Sequence, residues 1–294
     1  MSKPVLPVYT ISTLKDEVPT SRELVADRFS NYLHEHRNLH FPHKHSFYQL
    51  VYFSKGSGRH SIDFISFPVE KGQVYFMIPG QVHDWEFEQE PDGFIINFSR
   101  QFFHDFIADP EYLEQFSFFS GMAAQQVLNI PAEGRKPIEQ LLQTIVEEAN
   151  SVKPLKDDFT RAALIQLLIR VSRYAAPQAD SQQGNYNSLI LKNFLRLINR
   201  HYKEKKLTKD YAAMLYVTPN HLNAVSKDLL GRPAGELIRD RVILEAKRLL
   251  INAKLGISEI ARELDFADNS YFSKFFKKYT GVTPEAFRKP AIKK

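Results

Sequence analysis

Between residues 207 and 289 the chain writes nearly the same pattern twice, and this repeat limits the possible folds more than any other feature. The first copy runs Leu207-Thr208, Ala212, Leu215, Val217, Asn220, Leu222, Val225, Gly231 and Pro233. The second runs Ile257-Ser258, Ala261, Leu264, Phe266, Asn269, Phe272, Phe275, Gly281 and Pro284. Matched positions lie 49 residues apart from Ala212/Ala261 to Asn220/Asn269, and 50 apart from Leu222/Phe272 to Gly231/Gly281. A slightly different turn between two helices leaves such a one-residue shift.

Each copy reads as two short helices around a tight turn. In the second, Ser258 is placed to cap a helix over 259–265, with Ile260, Ala261 and Leu264 on one face. A turn follows at 265–268, and a helix from Asn269 buries Phe272, Phe275 and Phe276 before Gly281 and Pro284 end it. Helical patterns over 188–203 and 234–251 would open the module and bridge its halves. The outer face of each second helix is polar. In copy one it carries Asn220, His221, Asn223 and Lys227; in copy two, Asn269, Ser270, Ser273, Lys274, Lys277 and Lys278. Asn suits adenine edges, Lys suits guanine or phosphate, and Ser takes either. One such hairpin would read as a solvated face of an ordinary bundle; two in tandem at matched spacing point to DNA.

This region resembles the tandem helix–turn–helix module of the AraC/XylS family of transcription regulators. The residues that carry the resemblance are Ile257-Ser258-Glu259-Ile260-Ala261, Leu264-Asp265-Phe266, Tyr271 to Lys278, Gly281, Thr283-Pro284 and Phe287-Arg288, with Arg241, Glu245-Ala246 and Leu249-Leu250 in the bridge. The resemblance implies that helices starting near Pro219 and Asn269 enter successive major grooves of double-stranded DNA. It also implies a small-molecule effector and RNA polymerase as further partners, with activation as the usual outcome. The chain departs from the family at both turns, where Tyr216 and Asp265 replace the usual Gly. Lys274 stands where Arg is common, and Ala224 leaves the first helix to read through Asn220, Asn223 and apolar contact.

Charge is divided along the chain. Residues 185–294 hold 22 Lys+Arg against 11 Asp+Glu, a net +11, while residues 1–184 carry −6. A basic third on an acidic body is the footprint of a nucleic-acid binder, with Lys277, Lys278 and Arg288 expected on phosphates. The chain has no cysteine, which removes disulfides and thiolate chemistry and fits a reducing cytoplasm. Neither a secretory signal nor a membrane-spanning apolar run is legible.

Residues 1–30 read as an irregular arm. Short β-type runs follow at 47–53, 58–65, 73–78, 85–88 and 93–98, separated by glycine-bearing turn signals. Within them His43-Lys44-His45, Gln49, Gly56, Gly72, Pro79-Gly80 and His83 resemble the two motifs of the cupin double-stranded β-helix. Gln49 stands where cupin enzymes carry a carboxylate, and no acid/base pair sits beside the histidines. Three imidazoles could still hold zinc, but the resemblance extends to regulator cupins that carry His-x-His without metal, and the expectation is a pocket without metal or other cofactor. His43, His45, Tyr48, Gln49, Arg59, His83 and Trp85 would line it, with Arg59 able to hold a carboxylate. Sugar and aromatic acid both remain open as effectors. A cupin metalloenzyme with a helical accessory domain is the reading from another class, and a constitutive DNA binder is a third.

A Phe-rich stretch at 100–120 is expected to pack helically on the barrel. Helices follow over 136–150 and 159–174. The second is apolar nearly all round and so must be covered twice; the resemblance implies that a second subunit covers it, a homodimer through Leu164, Leu167, Leu168 and Val171, and full burial within one chain is the other reading. Asp at Leu167 and Ile169 should then give monomers. Residues 175–186 read as a linker. The resulting expectation is an α+β, two-domain chain: an arm at 1–30, a cupin-like sensing and dimerisation domain at 31–174, and an all-α tandem helix–turn–helix module at 187–294.

Overall fold

A computed structural model describes residues 6–14, 23–36, 42–104, 106–175, 182–252 and 254–291. Two compact units result, divided between Pro177 and Gln178. The first is sheet-rich and the second is helical, giving a two-domain α+β chain.

In the first unit the strands are β1 (Val8–Tyr9), β2 (Leu24–Arg28), β3 (His43–His45), β4 (Tyr48–Ile62), β5 (Ile65–Pro68), β6 (Gln73–Met77), β7 (Val82–Phe98) and β8 (Val127–Asn129). They form one sheet in the order β1-β3-β7-β4-β6-β8, with β2 on β7 and β5 on β4. All pairs are antiparallel except β1 with β3. The sequence suggested separate short strands, but β4 and β7 are long and continuous. Gly72 and Gly80 sit in turns as read, but Gly56 and Gly58 lie instead where the β4–β7 register slips, between Phe53 and Gly58. Gly93 has φ +154°, and a Cβ there would lie 1.8 Å from the Tyr52 carbonyl oxygen, so the close approach demands glycine. A bulge bends and twists the strands that carry it.

The slip also changes which residues face inward. Before it, Val51 and Phe53 belong to the inner cluster, with Phe47, Tyr75 and Ile95; after it, Ile62 does, with Trp85. Inward positions are thus odd-numbered before the slip and even-numbered after it. The outer face, with Leu50, Tyr52, Phe94 and Ile96, packs against α2 (Ala132–Ala149) and α3 (Lys156–Ala175).

Three expectations for this unit change. Residues 24–30, read as part of the arm, are β2 and the start of α1 (Phe29–Glu35), and Leu24, Ala26 and Phe29 are buried. The rest of the arm reading falls partly on residues 1–5 and 15–22, outside the described residues. The Phe-rich stretch forms single 3-10 turns, not an α-helix; Phe118 stacks on Phe76 with centroids 3.9 Å apart. Leu164, Leu167, Leu168 and Val171 are fully buried within their own unit, so they cannot be the dimer contact. An all-round apolar helix conceals which stripe its own domain uses.

The second unit comprises α4 (Gln182–His201), α5 (Thr208–Met214), α6 (Pro219–Leu230), α7 (Ala234–Ile251), α8 (Ile257–Glu263), α9 (Asn269–Thr280) and α10 (Pro284–Ala291). Helix α4 begins inside the segment read as linker, of which residues 176–181 lie outside the described residues. One core joins both repeats to α4 and α7, through Phe194, Tyr211, Leu222, Val242, Ala246, Leu264, Phe272 and Phe276. Burying one such Phe contributes about 1.5–3 kcal/mol, against about 1 kcal/mol for a helix cap, so the core dominates.

The two turns are built alike. Val217 N–H reaches Ala212 O at 3.0 Å and Phe266 N–H reaches Ala261 O at 2.9 Å. Tyr216 and Asp265 both adopt left-handed φ, +55° and +52°. This is the Schellman ending of a helix, which usually takes glycine. Caps follow suit: Thr218 accepts from His221 N at 3.1 Å and Asp268 from Tyr271 N at 2.7 Å. Ser258 does not cap α8 as expected. That helix starts two residues earlier, at Ile257, and Glu259 accepts the Gly256 N–H at 2.6 Å.

Candidate DNA-binding faces and the sheet interior

Helices α6 and α9 lean on the core through Leu222 and Val225, and through Phe272 and Phe276, and turn the opposite face outward. Asn220 and Lys227 are exposed on α6, with His221 half-buried; Asn269, Ser270, Lys274, Lys277 and Lys278 are exposed on α9. Repeat-matched positions differ in charge. Ala224, Lys227 and Asp228 on α6 correspond to Lys274, Lys277 and Lys278 on α9, and all six are exposed. Tyr271, part of the family motif but not among the residues expected on DNA, is exposed on α9 beside Ser270.

Three residues expected on DNA have other engagements. Asn223 Oδ1 accepts the Ala234 N–H at 3.0 Å and so caps α7. Arg288 donates from Nε to Leu250 O at 3.1 Å, at the far end of that helix. Ser273 is half-buried, 3.5 Å from Asn269 Oδ1. Their types suited DNA, but a bond to a distant backbone group leaves no trace in local spacing.

In the first unit, His43, His45, His83, Gln49 and Trp85 are gathered at the inner face, all nearly inaccessible. Strand register explains it: His43 pairs with His83 across β3–β7, and Gln49 with Asn97 across β4–β7. A fourth imidazole, His60, joins them. Its Nε2 lies 3.3 Å from His83 Nδ1. The sequence reading missed His60, although Ile62 two residues on shares its face.

Ring centroids of His43 and His83 are 4.1 Å apart, and those of His83 and Trp85 are 5.0 Å apart. Burial, then the neighbouring His43, pushes the His45 imidazole down to about 3. His60 and His83 fall well below their ordinary value for the same reasons, burial first and then His43 and His45. These three rings are therefore neutral at physiological pH.

Five buried polar atoms in this group have no hydrogen-bond partner: His45 Nε2, Gln49 Oε1, His60 Nδ1, His83 Nε2 and Trp85 Nε1. Most buried polar groups are bonded, and leaving one unmade costs about 1–3 kcal/mol. Their concentration marks a place built to meet something polar. Among the described residues, no group of three His, Cys, Asp or Glu is set to hold a metal ion.

Two expected lining residues point elsewhere. Tyr48 lies on the outer face, stacked on Phe98 with centroids 5.3 Å apart, and its hydroxyl accepts from Arg100 Nη2 at 3.2 Å. Arg59 is exposed on the odd side of β4 after the slip, where odd positions face outward. It does not reach the imidazoles, so among the described residues Arg59 brings that group no cation to hold a carboxylate.

Comparison with known proteins places both units. Residues 29–189 match the family model of the AraC-like ligand binding domain, and residues 211–290 match that of a helix-turn-helix domain. The HTH-type transcriptional activator RhaR of Cronobacter sakazakii is 21% identical over 280 residues, covering 92% of each chain. The transcriptional regulatory protein YesN of Bacillus subtilis is 35% identical over 116 residues, 38% of this chain and 31% of that one, so the match spans under a third of its length. ToxT of Vibrio cholerae O395 superposes with a TM-score of 0.44 at 14% identity, covering 91% of this chain and 98% of that one. RhaR and YesN are both transcription regulators by name. With one family model spanning more than half of its length and a second covering most of the remainder, the chain belongs to the AraC family of DNA-binding transcription regulators.

Proposed function

We propose that the chain is a homodimeric transcription activator of the cytoplasm, acting with RNA polymerase and controlled by a small neutral effector on the inner face of its sheet. The observation that carries this reading is the set of five unpartnered polar atoms. His45 Nδ1 donates to Phe47 O at 2.7 Å, which leaves Nε2 as an acceptor. Gln49 donates to Asn97 Oδ1 at 2.9 Å, which leaves Oε1 as an acceptor. Trp85 Nε1 can only donate. His60 and His83 share one proton between them, so one of their outer nitrogens donates and the other accepts. A mixed set with no cation suits hydroxyl groups, which do both. A carboxylate would meet uncharged acceptors in a desolvated site. Sugars are thus favoured over aromatic acids.

Footprinting on the DNA flanking its own gene tests this. Protection should change with a neutral sugar and not with aromatic acids; a response confined to the acids would overturn the effector class. Any effector must bind one arrangement of the protein better than the other to shift it.

On DNA, α6 and α9 would occupy successive major grooves, with α9 supplying most of the phosphate attraction. Lys274→Ala should weaken specific binding by about 1–3 kcal/mol if it reads a guanine edge. Asp228→Lys should strengthen binding to any duplex and steepen its salt dependence by about one counterion. Titration at several salt concentrations measures both, and a neutral Asp228→Lys would place the end of α6 away from the backbone.

For the dimer, the free stripe of α3 replaces the buried leucines. Ala162, Ile165, Gln166, Ile169, Arg170 and Arg173 line a groove of about 310 Å³. Two copies packed antiparallel would bring Asp157 and Asp158 at one end toward Arg170 and Arg173 at the other. Ala162→Arg should yield monomers in sedimentation, and an unchanged dimer would move the interface off this helix.

A further inference from the structure

A second cleft lies next to the imidazoles, where the first strand docks on the sheet. It encloses about 380 Å³, within the range of small-molecule sites. Ser12 belongs to a 3-10 turn (Ile11–Leu14) and Thr10 immediately precedes it, their hydroxyls 2.7 Å apart. Ser99 and Glu23 come from the β2–β7 edge, where Ser99 N–H reaches Glu23 O at 2.9 Å and Ser99 Oγ donates to the Glu23 carboxylate. Ser46, whose N–H reaches Tyr9 O at 2.9 Å, adds a further hydroxyl. Ile11 and Phe47 supply the apolar part of the lining.

The chemistry of this lining is one-sided. Among the described residues that line it, Glu23 is the single charged side chain, and the polar remainder is hydroxyl. An ammonium group would find a carboxylate and hydroxyl oxygens, and hydrogen bonds to ionised partners are the strong ones.

We propose that this cleft is a second small-molecule site, for a hydroxylated organic ammonium ion of the amino-alcohol or amino-sugar class. Its ammonium group binds the Glu23 carboxylate, its hydroxyls exchange bonds with Thr10, Ser12 and Ser46, and its carbon skeleton lies against Ile11 and Phe47. The Phe47 ring is stacked on His45, centroids 4.4 Å apart and planes 10° apart, so occupancy adjoins the imidazole cluster. Trp85, the chain's single tryptophan, sits at the far side of that cluster, beside His83.

The test uses the full-length protein, with ethanolamine and glucosamine as probes and glucose and acetate as controls. Melting temperature and Trp85 fluorescence are followed against probe concentration. Both amines should give a saturable rise in melting temperature, accompanied by a fluorescence change, while acetate gives none. Glu23→Gln should weaken the glucosamine response by about tenfold or more. Ser12 is exposed, and Ser12→Tyr fills the cleft without disturbing the Glu23–Ser99 bond, so it should abolish the response while the protein stays folded. The proposal is overturned if neither amine gives a saturable rise, or if either variant keeps the wild-type response. A glucose effect that both variants retain would belong to the imidazole cluster and would leave the cleft's result unaffected.

Discussion

Leu167→Asp should unfold the sheet-rich unit and not merely split a dimer. The side chain is fully buried among Ile138, Leu142, Leu164 and Leu168, in the core shared by α2, α3 and the outer face of the sheet. Removing a buried leucine costs about 2–5 kcal/mol, and a carboxylate left there without a partner adds a desolvation cost of several kcal/mol more. Whole-domain stability is commonly about 5–15 kcal/mol, so the loss is comparable to the total. Thermal melts of the purified variant should show the unit's transition lost or lowered by tens of degrees. A cooperative, near-wild-type melt from a monomeric protein would return Leu167 to the interface.

Acid should destabilise the same unit before the helical one. His45, His60 and His83 are held neutral in the fold, by burial first and by neighbouring imidazoles second, with His45 pushed down to about 3. In the unfolded chain they titrate near about 6.5. Their folded values are depressed, so the full stability is present above about 6.5. Below it the unfolded state gains protons that the fold refuses. Each ring then removes at most about 1.4 kcal/mol per pH unit, and three together about 4 kcal/mol per unit. Between pH 7 and 5 the melting temperature reported by Trp85 should fall steeply, while the helical unit changes little. A flat profile over that window would mean the rings are charged or solvated in the native protein.

What the sequence made legible follows from which interactions are local. The helical repeat is written in apolar spacing and glycine stops, and Leu222, Phe272, Gly231 and Gly281 occupy the positions it implies. Even the odd feature of the turns, Tyr216 and Asp265 in place of glycine, appears as left-handed backbone at both sites. The sheet was harder. Alternation places Gln49 correctly, but the register slip between Phe53 and Gly58 reverses the phase, so Arg59 turns outward and His60 inward. Tyr48 was misassigned because a single residue separates the two faces. Asn223 and Arg288 were lost to bonds with the Ala234 N–H and the Leu250 carbonyl, which depend on where α7 lies and not on their own neighbours. The buried stripe of α3 was hidden because both its faces are apolar.

The account rests on α6 and α9 acting as a matched pair on one duplex. Hydroxyl-radical footprinting of the full-length protein on its operator, wild type beside a Lys274→Ala, Lys277→Ala, Lys278→Ala triple variant, tests this most directly. Two protected segments about one helical turn apart on the same face of the DNA are predicted. The triple variant should lose the α9 segment, with a salt dependence shallower by up to about three counterions. A single protected segment, or a footprint the triple variant leaves intact, would contradict it.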